Sequence, residues 1–120
     1  MYNKFLFPIF LTAVVLVSGC TSSTTTTQTS VKEFSITASE WAWDPSTITV
    51  KQGDTVKLAL TSIDVTHGLS IPAFNVNKQI TPGATARVEF VADKKGTFPF
   101  ACSVFCGSGH GSMTGKLVVE

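Results

Sequence analysis

From Glu33 onward, apolar and polar residues alternate in short runs separated by turn signals. EFSITA sets Phe34, Ile36 and Ala38 on one face, and STITVK does the same with Ile48 and Val50. Gln52-Gly53-Asp54 reads as a turn, after which TVKLALTS alternates over Val56, Leu58 and Leu60. Thr81-Pro82-Gly83 is another turn, followed by ATARVEFV with Ala86, Val88 and Phe90 in phase. DKKG at 93–96 turns the chain into TFPFAC, with Phe98 and Phe100 aligned, and TGKLVVE closes with Leu117 and Val119. A period of two marks strands with one buried face. The pattern predicts about seven short strands and no helix, which is how a β-sandwich reads. Alternate side chains would fill the space between two sheets. Pro99, which has no N–H to give a ladder, predicts an edge position or a bulge in its strand.

Residues 1–32 carry no such pattern. MYNK puts one lysine near the amino end, and an apolar run extends from Phe5 to Val17. That run is shorter than the roughly 20 residues needed to span a bilayer as a helix. With Ser18-Gly19-Cys20 directly after it, the segment reads as an export signal over 1–19. The ending VSGC resembles a bacterial lipoprotein signal box, so Cys20 is expected to be the acylated residue. TSSTTTTQTS at 21–30 has nothing to bury and is expected to serve as a flexible tether within 20–32. The folded domain is then 33–120. These readings place the protein outside the cytoplasm, anchored by lipid to the outer face of a membrane.

Charge and cysteine count sharpen this picture. Nine basic and eight acidic side chains give a net charge of +1, with no basic stripe for nucleic acid and no acidic run. An odd cysteine number in an exported chain calls for an explanation. If Cys20 carries lipid, the other two of the three cysteines, Cys102 and Cys106, remain as a pair. No paired carboxylates or nucleophile–base set points to hydrolysis. Gly107-Ser108-Gly109 lacks the strand and helix context of a phosphate loop and reads as loop geometry.

The chemistry concentrates in CSVFCGSGHGSM, residues 102–113. Cys102, Cys106, His110 and Met113 follow the spacing C-x3-C-x3-H-x2-M, between the last two expected strands. His67 lies upstream in TSIDVTHGLS, expected to be a loop at the same end of the sandwich. His67 and His110 are the two histidines of the chain, and Met113 is its one methionine besides Met1. Thiolate, thioether and imidazole together suit copper. A disulfide explains neither His110 nor Met113, and structural zinc has little use for methionine. A mononuclear copper site that leaves one thiol idle stays open alongside a two-copper site in which both thiolates bridge.

The loop resembles the binuclear CuA loop of cytochrome c oxidase subunit II and nitrous oxide reductase. DVTHG is similar to the segment that supplies that family's first histidine, and GTFPFACS to the strand leading into its first cysteine. IPAFNVNKQITPG is similar to the segment after that histidine, so the resemblance runs over roughly 40–120. It implies an all-β, cupredoxin-like Greek-key sandwich holding two copper ions. Cys102 and Cys106 would bridge them, with His67 on one copper and His110 on the other. Met113 would be a weak axial ligand on one copper, and the backbone carbonyl of Val104 would serve the other. EWAWDP is loosely similar to the family segment whose first tryptophan accepts electrons, a role that would fall to Trp41. The bottom-up alternative is that Trp41 and Trp43 both cap the core.

The implied task is one-electron transfer. The donor would be a c-type cytochrome or another cupredoxin, and the acceptor a terminal oxidase or reductase. The same ligands would also serve a copper chaperone for oxidase assembly. Oxidase subunits commonly carry a glutamate where this chain has Val104, along with two transmembrane helices. The expectation is therefore a free-standing lipid-anchored protein or a divergent subunit II, with no catalytic site of its own. Asp64 and Lys78 read as rim residues, indistinguishable from ordinary surface.

Overall fold

The computed structural model describes residues 13–16, 18–24 and 29–120. Most of the expected export signal, residues 1–12 and 17, lies outside the described residues, as do 25–28 of the tether. Among the described residues, no helix is long and apolar enough to cross a membrane.

Nine strands are present among the described residues: β1 (Val31–Ser39), β2 (Ala42–Asp44), β3 (Thr47–Val50), β4 (Thr55–Ser62), β5 (His67–Ile71), β6 (Val76–Ile80), β7 (Ala86–Val91), β8 (Gly96–Cys102) and β9 (Thr114–Val119). Two single 3-10 turns, Pro72–Phe74 and His110–Ser112, complete the regular structure. The first strand starts two residues before the boundary expected from sequence. One sheet has the order β2-β1-β4-β7 and the other β3-β9-β8-β5-β6. Both are mixed, because β1 runs parallel to β4 and β3 parallel to β9. The chain passes repeatedly between the sheets, so each strand's apolar face is covered by the opposite layer.

The alternation seen in the sequence is the cause of this packing. Ile36 and Ala38 of β1, Val56, Leu58 and Leu60 of β4, and Leu117 and Val119 of β9 all point into one core. A fully buried Leu or Ile contributes about 1.5–3 kcal/mol. Phe74, Phe90 and Phe98 close one end of the sandwich, with ring centroids about 5 Å apart.

Three strands lie outside the six alternating runs named from the sequence. β5 lies where a loop is expected from sequence: HGLSI is buried on nearly every residue and so shows no alternation. β6 exposes its three middle residues and buries its two ends, and β2 is three residues long. Pro99 also differs from the expectation, since β8 lies between β9 and β5 and not at an edge. Its ladder to β5, however, covers Ala101 and Cys102 and stops before Pro99. Cys102 donates its N–H toward β9 and Ser103 toward β5. By alternation, Pro99 faces the β5 side, where no partner claims an N–H. The strand is central in the sheet but locally an edge at its proline.

One pole of the sandwich gathers the ends of β1, β4 and β8 and the starts of β5 and β9. His67 and the 102–113 loop both emerge there. The start of β1 lies at the other pole. The eight steps from Val31 to Ser39 at about 3.3 Å per residue separate the two by about 26 Å.

Candidate metal centre

The strand ladder fixes the central contact of the site. β5 pairs with β8 so that Leu69 faces Cys102, and the Ser103 N–H donates to the Gly68 carbonyl. This draws His67 beside Cys102, although 35 residues separate them in the chain. Gly68 is what allows the approach: a Cβ there would overlap the Ser103 hydroxyl and the Val104 side chain.

His67, Cys102 and Cys106 are buried, and their donor atoms lie within 4.8 Å of one another. The two Sγ atoms are 3.5 Å apart. His67 Nδ1 stands 3.9 Å from Cys102 Sγ, and His110 Nδ1 stands 3.6 Å from Cys106 Sγ. The Met113 thioether lies 3.9 Å from Cys106 Sγ, and the Val104 carbonyl lies 3.0 Å from Cys102 Sγ. The donor set is therefore two-ended: a sulfur pair in the middle, an imidazole at each end, the carbonyl beside Cys102 and the thioether beside Cys106. Every metal-binding residue expected from the sequence is brought together. Cys20 is exposed and remote in sequence from this cluster.

The imidazole of His67 is committed to one tautomer. Its Nε2–H donates to Asp64 Oδ1 at 2.8 Å, which leaves the Nδ1 lone pair facing the sulfurs. Such a carboxylate partner fixes ring orientation and raises ligand basicity. Asp64 also accepts from the N–H of Val65 at 2.7 Å and from the N–H of Glu40 at 2.6 Å. Burial raises its pKa, but the His67 hydrogen bond and the two backbone donors outweigh that and hold it down to about 2. It is a built part of the site, where the sequence offered an ordinary surface residue. The i, i+3 spacing of Asp64 and His67 was the available signal. Lys78 is exposed on β6 and makes none of the hydrogen bonds that build this site.

Burial, with the neighbouring Cys102, pushes the Cys106 thiol up to about 11. In the metal-free chain this thiol holds its proton at neutral pH. The carboxylate-fixed imidazole, the second imidazole, the two inward thiols, the thioether and the carbonyl form a soft and borderline set that fits copper. Aromatic side chains flank the set. Trp43 is buried, donates to the Met113 carbonyl at 3.2 Å and packs edge-on against Phe100 at 5.8 Å. Phe105 is 78% exposed, with its ring 5.6 Å from that of His110.

The two tryptophans therefore divide. Trp43 joins the core, whereas Trp41 lies on the ligand loop and is 37% exposed. Its indole N–H donates to the Cys106 carbonyl at 3.3 Å. Gly107 has φ +126°, which only glycine adopts without strain, in line with the loop-geometry reading. Gly109 differs: its φ of −91° suits any residue, but a Cβ there would fall inside the Trp41 indole.

A family model described as a cupredoxin-like domain matches residues 9–119. The nitrous-oxide reductase of Cupriavidus necator is 45% identical over 75 residues, covering 59% of this chain and 12% of that enzyme. Cytochrome c oxidase subunit 2 of Thermus thermophilus is 32% identical over 85 residues, covering 71% of this chain and 63% of that subunit. The chain thus spans less than two thirds of either relative. A crystal structure of the periplasmic domain of cytochrome oxidase subunit II from Bradyrhizobium japonicum shares the fold. Its TM-score is 0.68 at 24% identity, over 73% of this chain and 83% of that one. The nine-strand sandwich and the match along nearly its whole length agree: the chain belongs to the cupredoxin-like domain family, and its relatives include cytochrome c oxidase subunit 2 and nitrous-oxide reductase.

Proposed function

We propose that this chain is an extracytoplasmic one-electron carrier whose resident cofactor is a pair of copper ions held at the His67/102–113 pole. The observation that carries this reading is the two-ended donor set. Cys102 and Cys106, His67 and His110 through Nδ1, Met113 and the Val104 carbonyl would hold the two ions. Copper would supply a one-electron couple there.

The chain's own residues supply what such a couple needs. The strand ladder fixes His67 against Cys102, and Asp64 fixes the ring of His67. Burial of both thiols keeps most of their surface from solvent. Little has to move when the charge changes, which favours electron transfer over cargo handover. A chaperone passes its metal through an open site, and here His67, Cys102, Cys106 and Met113 are buried while His110 is half-buried. Trp41 spans the surface and the Cys106 carbonyl, a placement that supports its expected role as the point of electron entry.

The donor would be a c-type cytochrome or another cupredoxin, and the acceptor a terminal oxidase or reductase. A lipid on Cys20 would hold the domain by its tether at the pole away from the copper. The copper pole would then face partners and not the anchor. Reversible single-electron voltammetry of the copper-loaded chain tests the reading, alongside copper transfer to a competing chelator. Fast reversible electron transfer with slow copper loss is expected. Rapid copper handover without unfolding would assign the chaperone role instead.

A further inference from the structure

The two halves of the donor set come from separate parts of the chain, and one surface corner touches both. This corner is Glu40–Trp41, between β1 and β2. On one side, the Glu40 N–H donates to Asp64 Oδ2 at 2.6 Å, and Asp64 Oδ1 accepts from His67. On the other side, Trp41 Nε1–H donates to the Cys106 carbonyl, and its indole lies over Gly107 and Gly109. The corner has no strand pairing to the 102–113 loop, since β1 and β2 belong to the other sheet.

We infer that the Glu40–Trp41 corner is a positioning element, a clamp that holds the 102–113 loop in register with His67 before any metal binds. Gly109 is the receiving half of the clamp. Its backbone permits a side chain, and the space for one is taken by the indole. This role is separate from electron entry, because it belongs to the metal-free chain. Its consequence for copper retention rests on the copper reading above.

The prediction is a specific non-additivity. Gly109→Ala would push the indole off the loop, and Trp41→Ala would remove it. Each single change disturbs the same contact, so the second change adds little once the first is made. The test is hydrogen exchange on the full chain, purified in detergent, reduced and metal-free. The reporters are the N–H groups of Ser103, His110, Ser112 and Met113, all hydrogen-bonded within or onto the loop. Amides of the β1–β4 ladder serve as the internal reference for global opening.

The expected result is that Gly109→Ala and Trp41→Ala each speed loop exchange by about tenfold, with the ladder unchanged. The double variant should match Trp41→Ala. Trp41→Phe, which keeps the ring and loses the donor, should fall between Trp41→Ala and the unaltered chain. Unchanged loop exchange in the single variants would overturn the clamp, as would additive effects or acceleration that includes the ladder. Copper release from the loaded chain gives the second readout, expected to be faster in both single variants. If the exchange result holds and copper fails to bind, the clamp stands and the copper reading falls.

Discussion

At the scale of single residues, the site divides into what the sequence displayed and what only packing could supply. Cys102, Cys106, His110 and Met113 sit on one loop, so their spacing announced them. Asp64 and Gly109 did not stand out, because each owes its role to something beyond its own segment. Asp64 bridges Glu40 and His67, and Gly109 meets Trp41 across 68 positions of sequence. Asp64→Asn should turn His67 into a poorly oriented ligand and lower copper affinity by about 10-fold or more, measured by chelator competition. Cys106 makes a pH prediction. Its pKa rises from an ordinary 9.0 to about 11 in the folded chain. Folding therefore favours the protonated thiol. That contribution to the stability of the metal-free protein is complete below pH 9.0 and is lost as pH climbs toward about 11. Chemical unfolding at a series of alkaline pH values checks the sign, with Cys106→Ser as the control that removes the slope. Because copper must displace the thiol protons, loading should slow as pH falls and release protons to solution.

At the scale of elements, alternation was legible wherever a strand has one wet face. Phe34, Ile36 and Ala38 announced β1, and Val56, Leu58 and Leu60 announced β4. β5 escaped because it is buried on nearly every residue, so periodicity had nothing to report. That strand carries His67, and its ladder to β8 is what makes the site compact. The edge rule for proline failed at Pro99 for a local reason: the β5 ladder ends before reaching it. The tight β5–β8 crossing yields a sharp prediction at Gly68. Gly68→Ala would drive a methyl into Ser103 and Val104. Overpacking of this kind costs about 1–3 kcal/mol. A thermal-unfolding comparison should give a lowered midpoint together with weakened copper binding, since the displaced atoms belong to the ligand loop.

At the scale of the molecule, one core supports a site gathered at one pole, with the start of β1 at the other. Leu69 is fully buried between the sheets and lies two residues from His67. Leu69→Ala should cost about 2–5 kcal/mol in denaturant unfolding and loosen the site along with the fold. Acid stability follows from two carboxylates. The Ser30 hydroxyl and the Lys51 N–H hold Asp54 below its ordinary pKa, and Asp64 is held at about 2. Both contributions are complete above the usual carboxylate range and fade as pH drops below it, that of Asp64 as pH approaches about 2. The whole-molecule picture, a two-ended donor set gathered at one pole, depends on the metal count. Electron paramagnetic resonance of the oxidised copper-loaded chain, its thiols reduced before loading and its copper counted on the same sample, tests that count most directly. The account predicts two coppers per chain and one unpaired electron whose hyperfine coupling is shared by both nuclei. One copper with a single-nucleus spectrum would contradict it and leave one of the two thiols outside the metal centre.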